Sequence, residues 1–350
     1  MKKTWTLVTG ATGFIGSAVV RRLLDRGERV RAFVRPGASL RAFAGLPSDR
    51  FQLAYGDVTI ESTAFRALIG CNKLFHVASV FRYWSRKPDD ILKPALLGTQ
   101  AVLAAARAQD VERIVVTSSA AVLGVTADEP MDETHENQLM DPELYIRAKI
   151  EADHVVREAI EQGAPIISVL PSGVFGEADR KPTPNGRTLL DYLKLPPGRR
   201  IPATEGGISV VDVEDVAEGH VLAMEKGRIG QRYLLGGENV TFRGLFEILH
   251  ELTGLAEPGS APSPFLVQLA GRLLEWNARW SGKDPILTYR LARDYAFARV
   301  WVDSQKAERE LGYTHRPARE TLARAIRWYL VNDYLPQPLA SRVRLELRPV

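Results

Sequence analysis

A tyrosine and a lysine four residues apart, Tyr145 and Lys149, have the types and spacing that could do chemistry. The surrounding residues predict a helix, where this spacing puts both side chains on one face with their Cβ atoms about 5–6 Å apart. A phenol titrates near pH ~10, so it is a poor acid or base at neutrality. Lowering its pKa to ~7 takes roughly 4 kcal/mol of phenolate stabilisation, to which a neighbouring ammonium contributes. The pair therefore predicts general acid–base chemistry at Tyr145.

Three hydroxyl residues, Thr117, Ser118 and Ser119, end a β-branched run that predicts a buried strand. Open α/β sheets bind their ligands outside the carboxyl ends of such strands. A serine at this edge can hold a substrate oxygen while Tyr145 exchanges a proton with it.

A glycine-rich loop follows the first predicted strand and leads directly into an amphipathic helix. Glycine lets a backbone turn tightly and approach a ligand closely, and a helix N-terminus offers free N–H groups to an anion. A strand, a glycine loop and a helix at the start of an alternating chain predict a dinucleotide pyrophosphate site. The residues expected to contact it are Gly10, Thr12, Gly13, Phe14, Ile15 and Gly16.

The end of the second predicted strand bears on the choice of dinucleotide. Sites that prefer NAD usually place an acidic residue there to bind the ribose 2′-hydroxyl. This strand instead ends at Val34 and Arg35, whose forked cation suits a 2′-phosphate, with Ser39 and Arg41 nearby. The sequence therefore favours NADP(H) over NAD(H).

The elements that must position these residues alternate along the first half of the chain. Strands are predicted over 5–9, 29–34, 51–55, 73–77, 113–118 and 165–170, and helices over 14–26, 61–68, 91–109 and 144–161. The predicted fold class is α/β, a Rossmann-type doubly wound parallel sheet with a smaller, mostly helical C-terminal substrate lobe.

The predicted domain organisation divides the chain into two lobes and a tail. A dinucleotide-binding domain is expected over 1–172, with a returning segment at about 205–236. The substrate lobe is expected over 173–204 and 237–335, and a C-terminal tail over 336–350. Aromatic residues of the lobe, such as Trp276 and Trp280, are expected to belong mainly to its core.

Composition and charge exclude several classes of function. The net charge of +4 comes from basic residues interspersed with acidic ones, which argues against a nucleic-acid partner. No apolar run approaches the roughly 20 residues that span a bilayer, and the apolar start is interrupted by the glycine loop, so no membrane partner or signal peptide is expected.

The single cysteine, Cys71, favours a reducing, cytoplasmic location. The histidines show no paired spacing, so no metal site is expected.

Several separate motifs resemble those of the extended short-chain dehydrogenase/reductases, over nearly the whole chain. The chain most resembles the branch that contains dihydroflavonol 4-reductase-like proteins and hopanoid-associated sugar epimerases. The motifs that carry the resemblance are the glycine loop, residues 56–58, 74–79, the strand ending at Ser119, residues 145–149, 171–176 and 211–217.

The resemblance implies roles for the matching residues. Ser119 matches the active-site serine or threonine, Tyr145 the acid/base, and Lys149 the residue that binds the nicotinamide ribose and polarises the tyrosine. The choice of Ser119 over Ser118 rests on this alignment. The further cofactor contacts implied are Asp57 and Val58 at the adenine, Ala78 and Ser79 at the ribose, Thr117 at the strand end, and Pro171, Ser172 and Val174 along the nicotinamide.

The resemblance also places an aromatic wall beside the substrate. Phe81 and Trp84 follow the ribose loop, and with Phe175 they would favour an apolar or aromatic carbonyl or alcohol. Packing under a flap remains the alternative for these residues. Ser119 completes the predicted substrate contacts.

Two positions depart from the family pattern. Ala95 stands where many members carry an asparagine, which leaves the proton relay open. Ile208 stands where nucleotide-sugar epimerases generally place an arginine for the substrate diphosphate, although Arg199 and Arg200 are near in sequence.

The expected activity is reversible hydride transfer between NADP(H) and the carbonyl or secondary alcohol of a small molecule. One alternative is a sugar or nucleotide-sugar epimerase or dehydratase that retains NAD(P). The other is a non-catalytic NADP(H)-sensing protein. A homodimer through the long helices of the Rossmann lobe is a further expectation from the resemblance.

Overall fold

The computed structural model describes residues 4–343. Its strands are β1 Trp5–Thr9, β2 Val30–Val34, β3 Phe51–Tyr55, β4 Cys71–His76, β5 Arg113–Thr117, β6 Ile166–Pro171, β7 Gly173–Phe175, β8 Arg200–Pro202, β9 Gly207–Asp212, β10 Arg232–Leu235, β11 Glu238–Thr241, β12 Glu257–Gly259 and β13 Arg299–Val300. Its α-helices are α1 Phe14–Asp25, α2 Glu61–Leu68, α3 Asp89–Ala108, α4 Leu144–Glu161, α5 Pro184–Leu193, α6 Val213–Lys226, α7 Phe242–Thr253, α8 Pro264–Ser281, α9 Tyr289–Asp294, α10 Gln305–Leu311, α11 Ala318–Val331 and α12 Gln337–Ala340.

A seven-stranded parallel sheet has the order β3-β2-β1-β4-β5-β6-β10. The order reverses between β1 and β4, which is where doubly wound sheets bind ligands. The predicted fold class is therefore confirmed. The ten elements predicted for the first half all form, with ends that differ by at most two residues.

Helices cover both faces of this sheet because successive strand residues point to opposite sides. Val8 packs with α1 and α6 in one core, whereas its neighbour Leu7 packs with α2, α3 and α4 in another. Burial on both faces explains why the strands are apolar throughout.

The second lobe is built around a small sheet in which β9 pairs with β7, β11 and β13. Helices α5, α7 and α11 pack on it around Leu189, Leu249 and Ile326. The segment predicted to return to the Rossmann domain is shared: β9 pairs in the small sheet, while α6 packs on the large sheet and β10 joins it. The domain limits themselves stay a prediction.

The C-terminal region contains α12, and Leu339 and Val343 pack against the core of the small lobe. The remainder of the predicted tail, 344–350, lies outside the described residues.

Trp276 and Trp280 are not core residues, because 62% and 76% of their surfaces are exposed. Within residues 4–343, every helix is too short or too polar to cross a bilayer.

Candidate active site

The loops that follow β1 and β4 pack against each other at the reversal of strand order. Gly10 has φ +63°, and a Cβ there would lie 2.7 Å from the Ala78 backbone, so only glycine fits. The hydroxyl of Thr9 accepts hydrogen bonds from the amides of Val77 and Ala78. These contacts bring the predicted pyrophosphate loop and the predicted ribose loop together.

The start of α1 fits the pyrophosphate of a dinucleotide. Gly13 is the exposed N-cap, and no side chain caps the first turn. The turn contains no acidic residue, so its N–H groups and helix dipole are available to an anion. A Cβ at Gly16 would collide with the carbonyl of Gly10, which explains the third glycine. Thr12, Phe14 and Ile15 are partly exposed along this loop.

Arg35 extends into solvent just after β2, and no acidic residue lies at the end of that strand. Its positive charge contributes to a lowered pKa of Asp57, although the larger causes are hydrogen bonds from the Thr59 amide and hydroxyl. Asp57 therefore shapes its own turn with one carboxylate oxygen. Val58, its neighbour, packs beside Gly98 of α3.

The two serines after β5 have different partners. Ser118 is buried, and its hydroxyl donates to Asp153 at 3.1 Å. Ser119 is half-buried and caps a short 3-10 helix, Ala120–Leu123, by accepting from the Ala121 amide at 3.2 Å, and its hydroxyl lies close enough to Tyr145 to lower the pKa of the phenol. The geometry thus leaves Ser119, and not Ser118, beside the phenol.

Lys149 is held at the end of β5. Its side chain is buried, and Nζ donates to the Thr117 carbonyl at 3.0 Å. The hydroxyl of Thr117 points the other way, toward His220 Nε2 at 2.8 Å. Because His220 Nδ1 donates to the Val216 carbonyl, Nε2 of the neutral ring accepts the threonine proton. Thr117 therefore reaches the site through its carbonyl.

The electrostatics of Tyr145 differ from the sequence expectation. Burial raises the pKa of Tyr145 to about 12, and the hydrogen bond with Ser119 offsets only part of that rise. Burial also lowers the pKa of Lys149 to about 8, opposed by the negative charge of Asp153. The ammonium therefore does not by itself make the phenol acidic, because desolvation dominates at both side chains.

A cavity of about 20 Å³ lies behind Lys149, with room for about one water molecule. Its lining includes His76, Ala95 and Asp153. Thr9 already accepts two amide hydrogens, so its own hydroxyl proton goes to His76 Nδ1 at 2.9 Å and Nε2 carries the ring proton. Because Ala95 lines this cavity, its small side chain leaves space where many family members carry an asparagine.

Two of the aromatic residues predicted near the substrate have clear positions. The ring of Phe81 lies 4.7 Å from that of Tyr145, centroid to centroid. Phe175 instead packs in the core of the small lobe, which leaves little of it for a substrate. Tyr83 takes the place in the wall, since its ring meets Tyr145 edge-on at 5.8 Å. Trp84 is half-buried on the same loop.

The segment predicted to lie along the nicotinamide crosses from one sheet to the other. Pro171 ends β6, and the Ser172 hydroxyl donates to the Ser209 carbonyl at 2.9 Å. Val174 is buried in β7 beside Val211. Ser79, on the ribose loop, is exposed.

The sequence analysis did not predict the roles of two buried carboxylates near Tyr145, those of Glu143 and Asp153. Glu143 is buried at the N-cap of α4, accepts from the Leu144 amide, and accepts from the hydroxyl of Thr288 in the second lobe. Asp153 also forms ion pairs with Arg157 at 2.9 Å and Arg232 at 3.6 Å. The position of Asp153 one helical turn after Lys149 could have been recognised in the sequence. The contact between Glu143 and Thr288 could not have been recognised, because these residues are 145 positions apart.

No cluster of three or more potential metal ligands occurs in the part of the chain that the structure describes. The groups that the candidate site offers for chemistry are the hydroxyl of Ser119, the phenol of Tyr145 and the ammonium of Lys149.

Known proteins resemble this chain in sequence and in fold. Residues 6–236 match the NAD dependent epimerase/dehydratase family. The chain belongs to this family. It is 33% identical to sterol demethylase protein B of Methylococcus capsulatus, over 93% of this chain and 98% of that protein. It is 31% identical to dihydroflavonol 4-reductase of Callistephus chinensis, over 70% and 71%. The crystal structure of gox2253 superposes with a TM-score of 0.82 at 37% identity, covering 95% of this chain and all of that one.

Membership in the family makes the chain an extended short-chain dehydrogenase/reductase and an NAD(P)-dependent oxidoreductase. Its relatives include reductases, and the resemblance inferred from the motifs is confirmed.

Proposed function

We propose that this epimerase/dehydratase family member transfers hydride reversibly between NADP(H) and a carbonyl or secondary alcohol of an apolar small molecule. The observation that supports this most directly is that Tyr145 lies beside Ser119 on the helix whose Lys149 donates to the Thr117 carbonyl. These groups lie at the carboxyl edge of the sheet, near the helix start that fits a pyrophosphate.

In this proposal NADPH, when bound, would supply the hydride that reduces the carbonyl carbon. Tyr145 donates its phenol proton to the developing alkoxide, and Ser119 hydrogen-bonds the same oxygen. The raised pKa of Tyr145 keeps the phenol protonated at neutral pH, as a proton donor must be. Lys149 presents its ammonium toward the cofactor ribose and, when charged, stabilises the phenolate left behind.

Arg35 supports the choice of NADP(H). Its guanidinium is exposed at the end of β2, where an acidic residue would repel a 2′-phosphate and none is found. Asp57 turns one oxygen inward to Thr59, which reduces its repulsion of a phosphate nearby.

An apolar substrate is supported by the rings and by Ile208. Phe81 and Tyr83 pack directly on the Tyr145 ring. Ile208 packs against Gly173 and the core of the small lobe, so no cation faces a substrate diphosphate from that position. The names of the two curated relatives, which concern a sterol and a dihydroflavonol, agree with an apolar ring system.

The test is a panel of ring-containing ketones and aldehydes with NADPH or NADH, followed by the loss of cofactor absorbance. NADPH-dependent reduction of an apolar carbonyl supports the proposal. Tightly bound, non-exchanging NAD(P) together with epimerisation or dehydration of a sugar would replace it with the alternative activity. Binding of NADPH without turnover of any carbonyl would favour a sensor. A cytoplasmic location and a homodimer are retained as proposals from the sequence.

A further inference from the structure

Helix α8 turns an apolar face toward solvent. Phe265, Leu266, Leu269, Leu273, Trp276 and Trp280 are between 41% and 76% exposed. At 100° per residue these side chains form a stripe roughly 100° wide along about 22 Å of helix. The residues of α8 that are buried, Gly271 and Ala278, lie on the opposite side. A helix packed on a core ordinarily has its apolar side inward, so this arrangement is reversed.

The exposed stripe is large for a monomer surface. Its six side chains expose on the order of 800 Å², against about 300–600 Å² for the largest patch of a typical monomer. Ile286, which is 79% exposed, extends it beyond the helix. None of the residues 4–343 covers the stripe. A patch of this size indicates a binding surface rather than scattered apolar residues.

Basic residues surround the C-terminal half of the stripe. The loop 82–87 meets the segment 264–287 where Arg86 donates to the carbonyls of Arg279 and Trp280. Together these two segments contain six basic and two acidic side chains. Of the acids, Asp284 is already paired with Arg82 and Arg187. Lys87, Arg279 and Lys283 form no ion pair with any described residue.

We propose that this face docks on a lipid bilayer that carries anionic headgroups. Tryptophans at one end of an apolar helix face, flanked by arginine and lysine, are typical of helices that lie in the membrane interface. The cations complement lipid phosphates, whereas an interface between two copies would bring these like charges together. The sequence predicted no membrane partner because it lacks a spanning segment, but a helix lying on the surface needs none.

The exposed stripe of α8 is connected to the candidate active site through two sets of contacts. Gly271 packs on the Thr288 backbone, and Thr288 donates to Glu143 at the start of the helix that bears Tyr145. Arg86 belongs to the same loop as Phe81, which contacts the Tyr145 ring. If the proposed function holds, docking would bring the active site close to apolar substrates in the bilayer. The docking itself does not depend on that function.

The test is flotation of the purified protein with vesicles of phosphatidylcholine and phosphatidylglycerol in equal parts. We expect the protein to float with these vesicles, to bind pure phosphatidylcholine less, and to dissociate as salt is raised. Brominated acyl chains should quench the tryptophan fluorescence of the bound protein, since Trp276 and Trp280 enter the lipid. Failure of the wild type to bind the mixed vesicles would overturn the proposal.

Variants separate the two parts of the surface. Trp276→Ser with Trp280→Ser should weaken vesicle binding by at least about tenfold, because apolar contact with lipid is lost. Arg279→Glu with Lys283→Glu should weaken binding to anionic vesicles about tenfold or more and leave binding to neutral ones unchanged. Trp276→Phe with Trp280→Phe should keep most of the binding and lose the quenching.

Matched controls use exposed apolar residues away from α8. Ile229→Ser and Val331→Ser remove side chains that are 53% and 74% exposed and should leave binding unchanged. Light scattering after gel filtration tests the other occupant, a second copy of the chain. If the wild type is a dimer that the two serine substitutions convert to a monomer, the face is an interface between copies and the membrane proposal is wrong.

Discussion

The Nζ of Lys149 donates to the main-chain carbonyl of Thr117 at 3.0 Å, and this buried hydrogen bond joins α4 to the end of β5. The same helix carries Tyr145 one turn earlier, and Ser119 follows Thr117 by two residues. This hydrogen bond joins the helix that carries Tyr145 and Lys149 to the strand end that Ser119 follows.

Tyr145→Phe should abolish turnover and keep cofactor binding. The phenylalanine preserves the ring contact with Phe81 but has no proton to donate, so kcat should fall by about 10²–10⁴-fold. The measurement is carbonyl reduction together with NADPH binding by fluorescence. Tyr289→Phe, a change outside the site, is the control. Wild-type turnover by Tyr145→Phe would remove Tyr145 from the mechanism.

Arg35→Glu should reverse the cofactor preference. The change replaces the cation proposed for the 2′-phosphate with a repelling carboxylate, so NADPH affinity should fall by about tenfold to hundredfold while NADH affinity is kept. Titration of both cofactors measures this. Arg107→Glu, at an exposed position of α3, supplies a charge-matched control. Equal affinity of the wild type for NADH and NADPH would contradict the inference.

The activity should decline as pH rises through about 8. Lys149 is charged below its folded-state pKa of about 8 and neutral above it, and kcat/KM reports the free enzyme. The negative charge of Asp153 raises that pKa, so Asp153→Asn should shift the decline to lower pH. Glu151→Gln, on the same helix but paired with the exposed Arg147, should leave the profile in place. A profile unchanged in Asp153→Asn would show that Lys149 does not control it.

Two buried histidines should make the protein sensitive to acid. Burial lowers the pKa of His76 to about 3 and the pKa of His220 to about 4, against 6.5 for an unperturbed histidine. Between pH 6.5 and about 4 the unfolded state therefore binds more protons, and stability falls as pH falls. Two such groups contribute a slope that rises to roughly 2.7 kcal/mol per pH unit near pH ~5, where the unfolded histidines are charged and the folded ones are neutral.

His220→Asn should about halve this slope, although it also lowers stability at neutral pH because the hydrogen bond from Thr117 is lost. Urea unfolding at several pH values between 7 and 5 measures the slope. His154→Asn, at an exposed position, should not change it. A slope that His220→Asn leaves intact would assign the acid sensitivity to other groups.

Thr288→Val should destabilise the contact between the two lobes. It removes the hydroxyl that donates to buried Glu143, and losing a hydrogen bond to such a group costs about 1.5–3 kcal/mol. Thr288→Ser keeps the donor and loses a buried methyl group, so it should be destabilised by only about 1 kcal/mol. Denaturant unfolding compares the three proteins, and a Thr288→Val protein as stable as the wild type would mean that the hydroxyl contributes nothing.

The sequence alone determined the Rossmann lobe, and it predicted the residues of the candidate site. Alternating apolar strands and amphipathic helices have periodicities that short segments display, so β1, β3, α2 and α4 could be predicted to the residue. The glycine loop and the i, i+4 pair are also local, because both depend on spacings within one turn or one helix. The resemblance to the family followed from the same short motifs.

Tertiary structure alone decided the environment of those residues. The pKa of Tyr145 moved opposite to expectation because desolvation depends on every element packed around it. Phe175 packs in the core of the small lobe because β7 pairs with β9 there, whereas Tyr83, on the loop after β4, packs on the ring of Tyr145. Trp276 and Trp280 were expected inside and lie outside, because an apolar helix face is indistinguishable in sequence whether a core, a second molecule or a lipid surface covers it.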